Sequence, residues 1–573
     1  MTDHTPEYKV LEVAMEVALT SEVLEDIAVR FGPTAAQEAG MSTSVGGIGP
    51  LLRERVVAQA ALGLKVMGVT LLYDTVWSQG WHVWNHLFLQ RRQVGPHIRA
   101  ALHDSGLTLS VPLFDGKVVS VKVWEAPYGE GKVYFLDCPE VTDVVYPCQE
   151  DAPLQTPNPT EWADRQRLRQ SWLVGRGALA LAKELGFRPD FIVQSETPTL
   201  FAQPRLFQDE HQKDPFFAQS LCIFNDHTPL EYAHPIWPRH ILDQVKADPA
   251  LYTPFLRGAG EHAQIDVTQF LVAMADGVFG VAQKHAVVMR AMPSLKPYAD
   301  KIQHVTNGVS QDTWQERRFR LAPQLSNTDL LKAKDDLKEA LVDWLWRRAG
   351  LWPLWTRVAK GKALILWTRR ITSYKRLDIL HRIFNDPGLR RRFLDTDLIL
   401  VVDGRVYQRD NVSEKMVYDL VELLNKDAEL GDRVIFIHNY NVWEAPRLFH
   451  GCDGAIMLSD DGREASATGF MKAQMNGGYV IANPDGAVPE FVFFQGHKNA
   501  QPDNGFGVSY ANGEPDPRSF VKALEDFNRV YKDPAQRASM MRAALAVTPQ
   551  LDVARTAQET VRFYQGLKTK IPA

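Results

Sequence analysis

Glu464-Ala465-Ser466-Ala467-Thr468-Gly469-Phe470-Met471-Lys472, continuing Ala473-Gln474-Met475-Asn476-Gly477-Gly478, is the stretch around which the chain organises itself. The small residues at 465–469 allow the backbone to come close to a ligand. A helix starting there turns its first N–H groups toward an anion. Glu464 supplies a carboxylate able to hold sugar hydroxyls. Lys472, three residues past Gly469, falls on the first turns of that helix. Its amine can pair with a phosphate or, once desolvated, condense with an aldehyde. A helix start with a solvated lysine fits the same stretch, so the surrounding chain has to decide.

The flanking sequence has the rhythm of an open α/β sheet. Upstream, Ala363-Leu364-Ile365-Leu366-Trp367 is a continuous apolar run suited to a buried parallel strand. Thr368-Arg369-Arg370-Ile371-Thr372-Ser373-Tyr374-Lys375-Arg376 follows it directly, placing four cations at a strand end as an anion clamp. Strands at 397–402, 433–437, 454–457 and 479–482 and a helix at 412–425 continue the βαβ alternation. Helices are expected at 518–532, 534–546 and 553–567. The charged segment 314–362 reads as the entry to this C-terminal domain.

Further toward the N-terminus, residues 12–32 and 35–41 have helical spacing. Gly46-Gly47-Ile48-Gly49 is a glycine-rich turn opening a helix at 51–63, with a strand at 66–73. That turn suits either a phosphate or sugar meeting backbone N–H groups, or plain helix capping. Residues 107–148 alternate with period two and read as a strand-rich insert or meander. A helix at 161–185 precedes short buried strands at 191–194 and 220–224. The second strand ends in Asn225-Asp226-His227-Thr228, polar groups where α/β sheets keep ligands, although His227 also suits a structural role. The stretch 266–289 reads as a strand or helix pair, and His304-Val305-Thr306-Asn307-Gly308 as a strand and turn.

Length and composition narrow the class. The chain has 573 residues, 45% hydrophobic and 23% charged, with a net charge of -5, enough for two domains and without the signature of disorder. Slight acidity gives no reason to expect nucleic acid or an anionic membrane as partner. Cys138, Cys148, Cys222 and Cys452 lie far apart without a C-x-x-C pair, which suits reduced thiols in a cytoplasmic protein. No signal peptide or membrane-spanning run is visible. His82 and His86 share the i,i+4 spacing of zinc ligands but lack the glutamate of H-E-x-x-H, so no metal is expected. Trp77, Trp81 and Trp84 suit core packing, with stacking on sugars as the second reading. Arg390-Arg391-Arg392 reads as a solvated face.

Several of these stretches together resemble the glycogen/starch (α-glucan) phosphorylases. That family reads E-A-S-G-T-G-N-M-K, then N-G and D-G-A, matched here by Glu464 to Lys472, Asn476-Gly477 and Asp485-Gly486-Ala487. R-I-H-E-Y-K-R resembles Arg370 to Arg376, G-G-L-G resembles Gly46 to Gly49, and T-N-G-I/V resembles Thr306 to Val309, with Trp314 a few residues on. N-H-T is similar to Asp226-His227-Thr228, and N-Y-R-V-S to Asn439-Tyr440-Asn441-Val442. The order along the chain is the family's. Departures are Ala467 for glycine, Phe470 for asparagine, Thr372 for histidine and Arg369 for lysine. The chain is also shorter than familiar members.

The resemblance implies an α/β protein of GT-B fold, two Rossmann-like domains facing a central cleft, divided near residues 1–318 and 319–573, with the last helix crossing back. It implies retaining phosphorolysis of α-1,4-linked glucan or oligosaccharide by inorganic phosphate to α-glucose 1-phosphate. Lys472 would hold pyridoxal 5'-phosphate as a Schiff base, with Thr468, Gly469, Arg369, Tyr440, Trp314 and Gly47 around the cofactor. Arg370, Lys375, His227 and Glu464 would be catalytic, and Gly46, Ala467, Ser466 and Asn307 would meet substrate. Familiar relatives are dimers. The rivals are a retaining nucleotide-sugar glycosyltransferase of the glycogen-synthase kind, in which Lys472 is a spectator, and a catalytically silent glucan-binding relative.

Overall fold

The computed structural model describes residues 7–81, 87–207, 212, 214–352, 354–407, 410–498 and 501–570, so the His82, Trp84 and His86 readings lie outside the described residues. The chain divides into two compact units, Met1–Val76 with Arg92–Thr306 and Thr556–Ala573, and Trp77–Arg91 with Asn307–Arg555.

The first unit is built on strands β1 (Lys9–Val13), β2 (Lys65–Leu71), β3 (His103–Pro112), β4 (Val118–Tyr128), β5 (Gly131–Asp137), β6 (Phe191–Ser195), β7 (Leu221–Asn225), β8 (Gly277–Gly280) and β9 (Ile302–His304). They form one sheet in the order β9-β8-β7-β6-β1-β2-β5-β4-β3. Pairing is parallel from β9 to β5, and β5-β4-β3 is an antiparallel meander continuing from that edge. Residues 107–148 are therefore an extension of the main sheet rather than a separate insert. β1 corrects the helical reading of 12–32. Its apolar residues satisfy either period, and pairing with β2 and β6 on both sides decides for strand. The helix begins later, at Ser21–Phe31, capped by the Thr20 side chain. Glu12, buried in this central strand, is matched by Arg55 and by Gln59 on helix α1 (Ile48–Ala61).

The second unit carries β10 (Ala363–Thr368), β11 (Leu398–Gly404), β12 (Val434–His438), β13 (Gly454–Met457), β14 (Tyr479–Ala482) and β15 (Gly505–Gly507). The order is β12-β11-β10-β13-β14-β15, all parallel. Its four central strands, β11, β10, β13 and β14, are buried along their length, as the unbroken apolar runs require. Between β10 and β13 the strand order reverses direction, and the loops that leave the carboxyl ends there hold the 368–376 and 458–472 segments. This is where an open α/β sheet places its ligand. Helix α2 (Gly469–Gln474) leads from the second of these segments, and α3 (Val553–Lys570) closes the described chain.

Candidate active site

In the second unit, β10 delivers Thr368 and Arg369 to the strand end, and the turn at 373–375 brings Lys375 back beside them. The Lys375 amine donates to both oxygens of Glu464, at 3.1 and 2.8 Å. Arg369 donates one guanidinium nitrogen to the same carboxylate and another to the Leu458 carbonyl at 2.8 Å. All three side chains are buried. Burial, with the Arg369 charge behind it, pushes the Lys375 amine down to about 7. Burial works to raise the Glu464 carboxyl, yet the charges of Lys375, Arg369 and Arg370 together hold it below the usual carboxylate range. One carboxylate thus faces three cations, and the excess positive charge suits an anion of two charges. The fourth cation of the segment is not part of this clamp. Arg376 takes a left-handed conformation at φ 58° and turns to Asp378, Asp460 and Glu514.

Around this cluster sit buried polar atoms without a hydrogen-bond partner: the hydroxyls of Thr368, Thr372 and Ser466 and one carboxyl oxygen of Asp403. Thr368 and Asp403 are cross-strand partners at the ends of β10 and β11. An unsatisfied buried polar atom costs about 1–3 kcal/mol, and these groups are chemically able to hydrogen-bond to the oxygens of a ligand. Ala467, where the resemblance expects glycine, holds φ 67°. A non-glycine residue there costs about 1–2 kcal/mol, strain of the sort that accumulates at ligand sites.

Lys472, buried on α2, lays its amine 3.6 Å from the centre of the Trp314 ring. The ring is itself fully buried, edge-on to Phe449. Asn476 fixes this arrangement. Its side-chain amide donates to the Trp314 carbonyl at 2.7 Å and the Lys472 carbonyl at 2.8 Å, and its oxygen accepts from the Glu316 N–H. A buried amine on an aromatic floor is able to condense with an aldehyde. Asn307 is buried on the loop after β9, its carbonyl accepting from Arg555 at 3.0 Å. Tyr440 follows β12, where burial raises its hydroxyl above the usual phenol range and the Asp403 charge adds to the effect.

The remaining sequence-derived candidates belong to the first unit. The turn before α1 commits its amides differently from the expectation: Val45 and Gly46 donate to the Glu16 carboxylate at 2.6 and 3.4 Å. Gly47 stands at the N-terminus of α1 without a side-chain cap. His227 is buried, with Nε2 unpartnered, and its backbone N–H donates to Glu196 at 3.1 Å. Burial and the nearby Arg55 charge hold the His227 imidazole well below its usual range, so it is neutral at pH 7.

Two positions of the second unit have contacts that the sequence reading did not give them. Gln79 spans the loop after β11, donating to the Gly404 carbonyl at 3.1 Å and accepting from the Val406 N–H, while its backbone pairs with the Asn439 side chain at 2.7 and 2.6 Å. Its distance in sequence from these partners hides it. Asp485, in the D-G-A match, is the other.

The fold is that of GT-B glycosyltransferases. The catalytic domain of starch synthase IV from Arabidopsis thaliana, solved with ADP and acarbose, superposes at a TM-score of 0.71 with 17% identity, covering 98% of this chain and 99% of that one. In sequence, the family model for carbohydrate phosphorylases matches residues 329–512, and that for starch synthase catalytic domains matches 34–292. The chain is 22% identical to the maltodextrin phosphorylase of Thermococcus litoralis over 92% of its own length and 69% of the relative's. It is 22% identical to the glycogen phosphorylase of Aquifex aeolicus over 91% of its own length and 84% of the relative's. In sequence the chain is thus similar to glycogen and maltodextrin phosphorylases along most of its length.

Proposed function

We propose that this glycosyltransferase relative is an α-glucan phosphorylase, cleaving α-1,4-linked glucan or oligosaccharide with inorganic phosphate and releasing α-glucose 1-phosphate with retention. The observation that carries the reading is the buried Glu464 carboxylate between Lys375 and Arg369, in the same unit as a buried lysine laid on an aromatic floor.

Pyridoxal 5'-phosphate fits the residues present. Lys472 offers the amine and Trp314 the aromatic face. The unpartnered Thr368 and Ser466 hydroxyls offer contacts to oxygens. Thr468, Gly469, Arg369 and Tyr440 complete the set that would hold it. When bound, the cofactor supplies a phosphate acid–base group beside the substrate phosphate.

The chain's own side chains do the rest. Arg370 and Lys375 hold the inorganic phosphate and offset its charge. Glu464, Ser466, Ala467 and Asn307 hold sugar hydroxyls and orient the ring. In the reaction the glycosidic oxygen leaves with a proton from inorganic phosphate. A phosphate oxygen then bonds to the anomeric carbon on the same face, so one bond forms for one broken. Charged Lys375 and Arg370 keep that phosphate bound and acidic enough to give its proton. By resemblance, His227 is assigned to the sugar, Gly46 to the substrate and Gly47 to the cofactor.

A retaining nucleotide-sugar glycosyltransferase is the second reading. It is supported by the starch synthase match over 34–292 and by the superposition on a starch synthase along nearly the whole chain. The same cation cluster would then take a diphosphate. The test is the near-ultraviolet and visible spectrum of the purified protein before and after borohydride, beside Lys472→Ala, followed by assay of phosphate-dependent sugar 1-phosphate release. A reducible chromophore absent from the variant supports the phosphorylase. A colourless protein that binds no pyridoxal 5'-phosphate and transfers sugar from a nucleotide donor sinks it. Binding of glucan without turnover by either route identifies the silent relative.

A further inference from the structure

Asp485-Gly486-Ala487, the turn that follows β14, packs against the loop that carries Glu464. Asp485 is 2% exposed, and its carboxylate accepts from the N–H groups of Gly462 at 3.2 Å, Arg463 at 3.1 Å and Glu464 at 3.0 Å, and from the Ser459 hydroxyl at 3.0 Å. On the far side of Glu464, the Ala487 N–H donates to the Ser466 carbonyl at 2.9 Å. Between them Gly486, at φ 57°, lies so close that an added Cβ would stand 2.9 Å from the Ser466 carbonyl atoms and 3.2 Å from Glu464 Cγ. Loop 459–466 is thus held on both sides of Glu464.

We propose that Asp485 is a positioning residue for Glu464: by gathering the amides that precede it, the Asp485 carboxylate fixes the Glu464 carboxylate against Lys375 and Arg369 and toward the sugar. The proposal rests on Glu464 being a substrate-binding residue, as argued above. Three consecutive N–H groups turned inward need a full negative acceptor, and a neutral amide in its place sets a donor against donors. Released from its loop, Glu464 would leave the cations without their counter-ion. The phosphate site would then keep or gain affinity while the sugar contacts are lost. A merely structural role predicts loss of both.

The test compares wild type, Asp485→Asn and Glu464→Gln in phosphorolysis of maltoheptaose, with calorimetric titration by inorganic phosphate and by maltoheptaose. The expected result for Asp485→Asn is turnover lower by about 100-fold, as for a displacement near 1 Å, and maltoheptaose binding weaker by about ten-fold or more. Phosphate affinity should stay within about three-fold of wild type or tighten. Asp485→Asn with turnover and maltoheptaose binding near wild type overturns the proposal while Glu464→Gln is impaired. Parallel loss of phosphate and sugar affinity also overturns it. Undiminished turnover and maltoheptaose binding in Glu464→Gln remove the functional assignment of Glu464 itself, and the positioning role with it. Where the wild type shows no phosphorolysis, the phosphorylase reading fails, and the maltoheptaose titrations alone make the same comparison. If Asp485→Asn does not fold, Ser459→Ala and Gly486→Ala report the same ratio of sugar to phosphate affinity.

Discussion

Anion binding at the Lys375 cluster should weaken as the pH rises, and the size of the effect follows from the charges around that amine. In the free protein Lys375 sits at about 7, pushed down by burial and by the Arg369 charge, with Glu464 opposing. Glu464 is held below the usual carboxylate range and stays ionised throughout the neutral region. Lys375 is thus the group whose charge changes across this range. A dianion placed against the amine favours its charged form, so binding above pH 7 must first restore the proton. The charged fraction falls from about one half at pH 7 to about one in a hundred at pH 9. Affinity therefore drops about fifty-fold, or about 2.3 kcal/mol. Sulfate is the probe of choice because it does not titrate in this range. Calorimetry at constant ionic strength, in two buffers of unlike ionisation heat, should show about 0.9 proton taken up per sulfate at pH 8. Lys375→Met should bind weakly with a flat profile. A flat profile in the wild type, or a slope that survives in Lys375→Met, refutes the assignment. The same shift bears on stability. The folded protein sheds this proton near pH 7 while the unfolded chain keeps it to about 10.5, so the cost of the buried amine is full below pH 7 and fades as pH rises through that interval.

Other perturbations have equally definite outcomes. Gly404→Ala drives a Cβ to 2.5 Å from Ile371 and 2.8 Å from the Arg369 carbonyl, and should cost about 1–3 kcal/mol and weaken sulfate binding, read by denaturant titration and calorimetry. Ala467→Gly relieves the left-handed strain and should raise stability by up to about 1 kcal/mol, seen as a higher denaturant midpoint. Arg55→Met leaves Glu12 buried without its cation and should destabilise the first unit by about 3–5 kcal/mol, read as earlier loss of its hydrogen-exchange protection.

Five of the six strands of the second sheet were legible because a strand buried on both faces leaves an unbroken apolar run, as at 363–367 and 398–402, whereas the three-residue β15 is too short to show one. β1 was not legible. Lys9 to Leu19 carries apolar residues at intervals that suit helix and strand alike, and only neighbours far along the chain settle the choice. The grouping of Arg369, Lys375 and Glu464 follows from the strand-end rule, but its internal pairing does not. That Arg376 turns to Asp378, Asp460 and Glu514 depends on a backbone twist the sequence does not advertise. Likewise the amides of the 45–46 turn looked open to a ligand until Glu16, about thirty residues away, came to accept them. Gln79 and Asp485 act through partners that no local pattern contains.

The helix α3 carries a consequence for how the chain is made. Its Tyr564 stacks on Phe191 of β6 at 4.3 Å, Phe563 packs edge-on to Phe279 of β8, and Thr556 donates to the Thr306 carbonyl, a partner 250 residues earlier. The sheet that is synthesised first therefore waits for a piece that leaves the ribosome after the whole second unit. At about 5–20 residues per second, 250 residues take on the order of 12–50 s. For that interval β6 and β8 present bare aromatic rings where the helix will lie. The nascent first unit is thus a natural client for chaperones, and a label fused close behind residue 570 would disturb the oldest part of the protein rather than the newest.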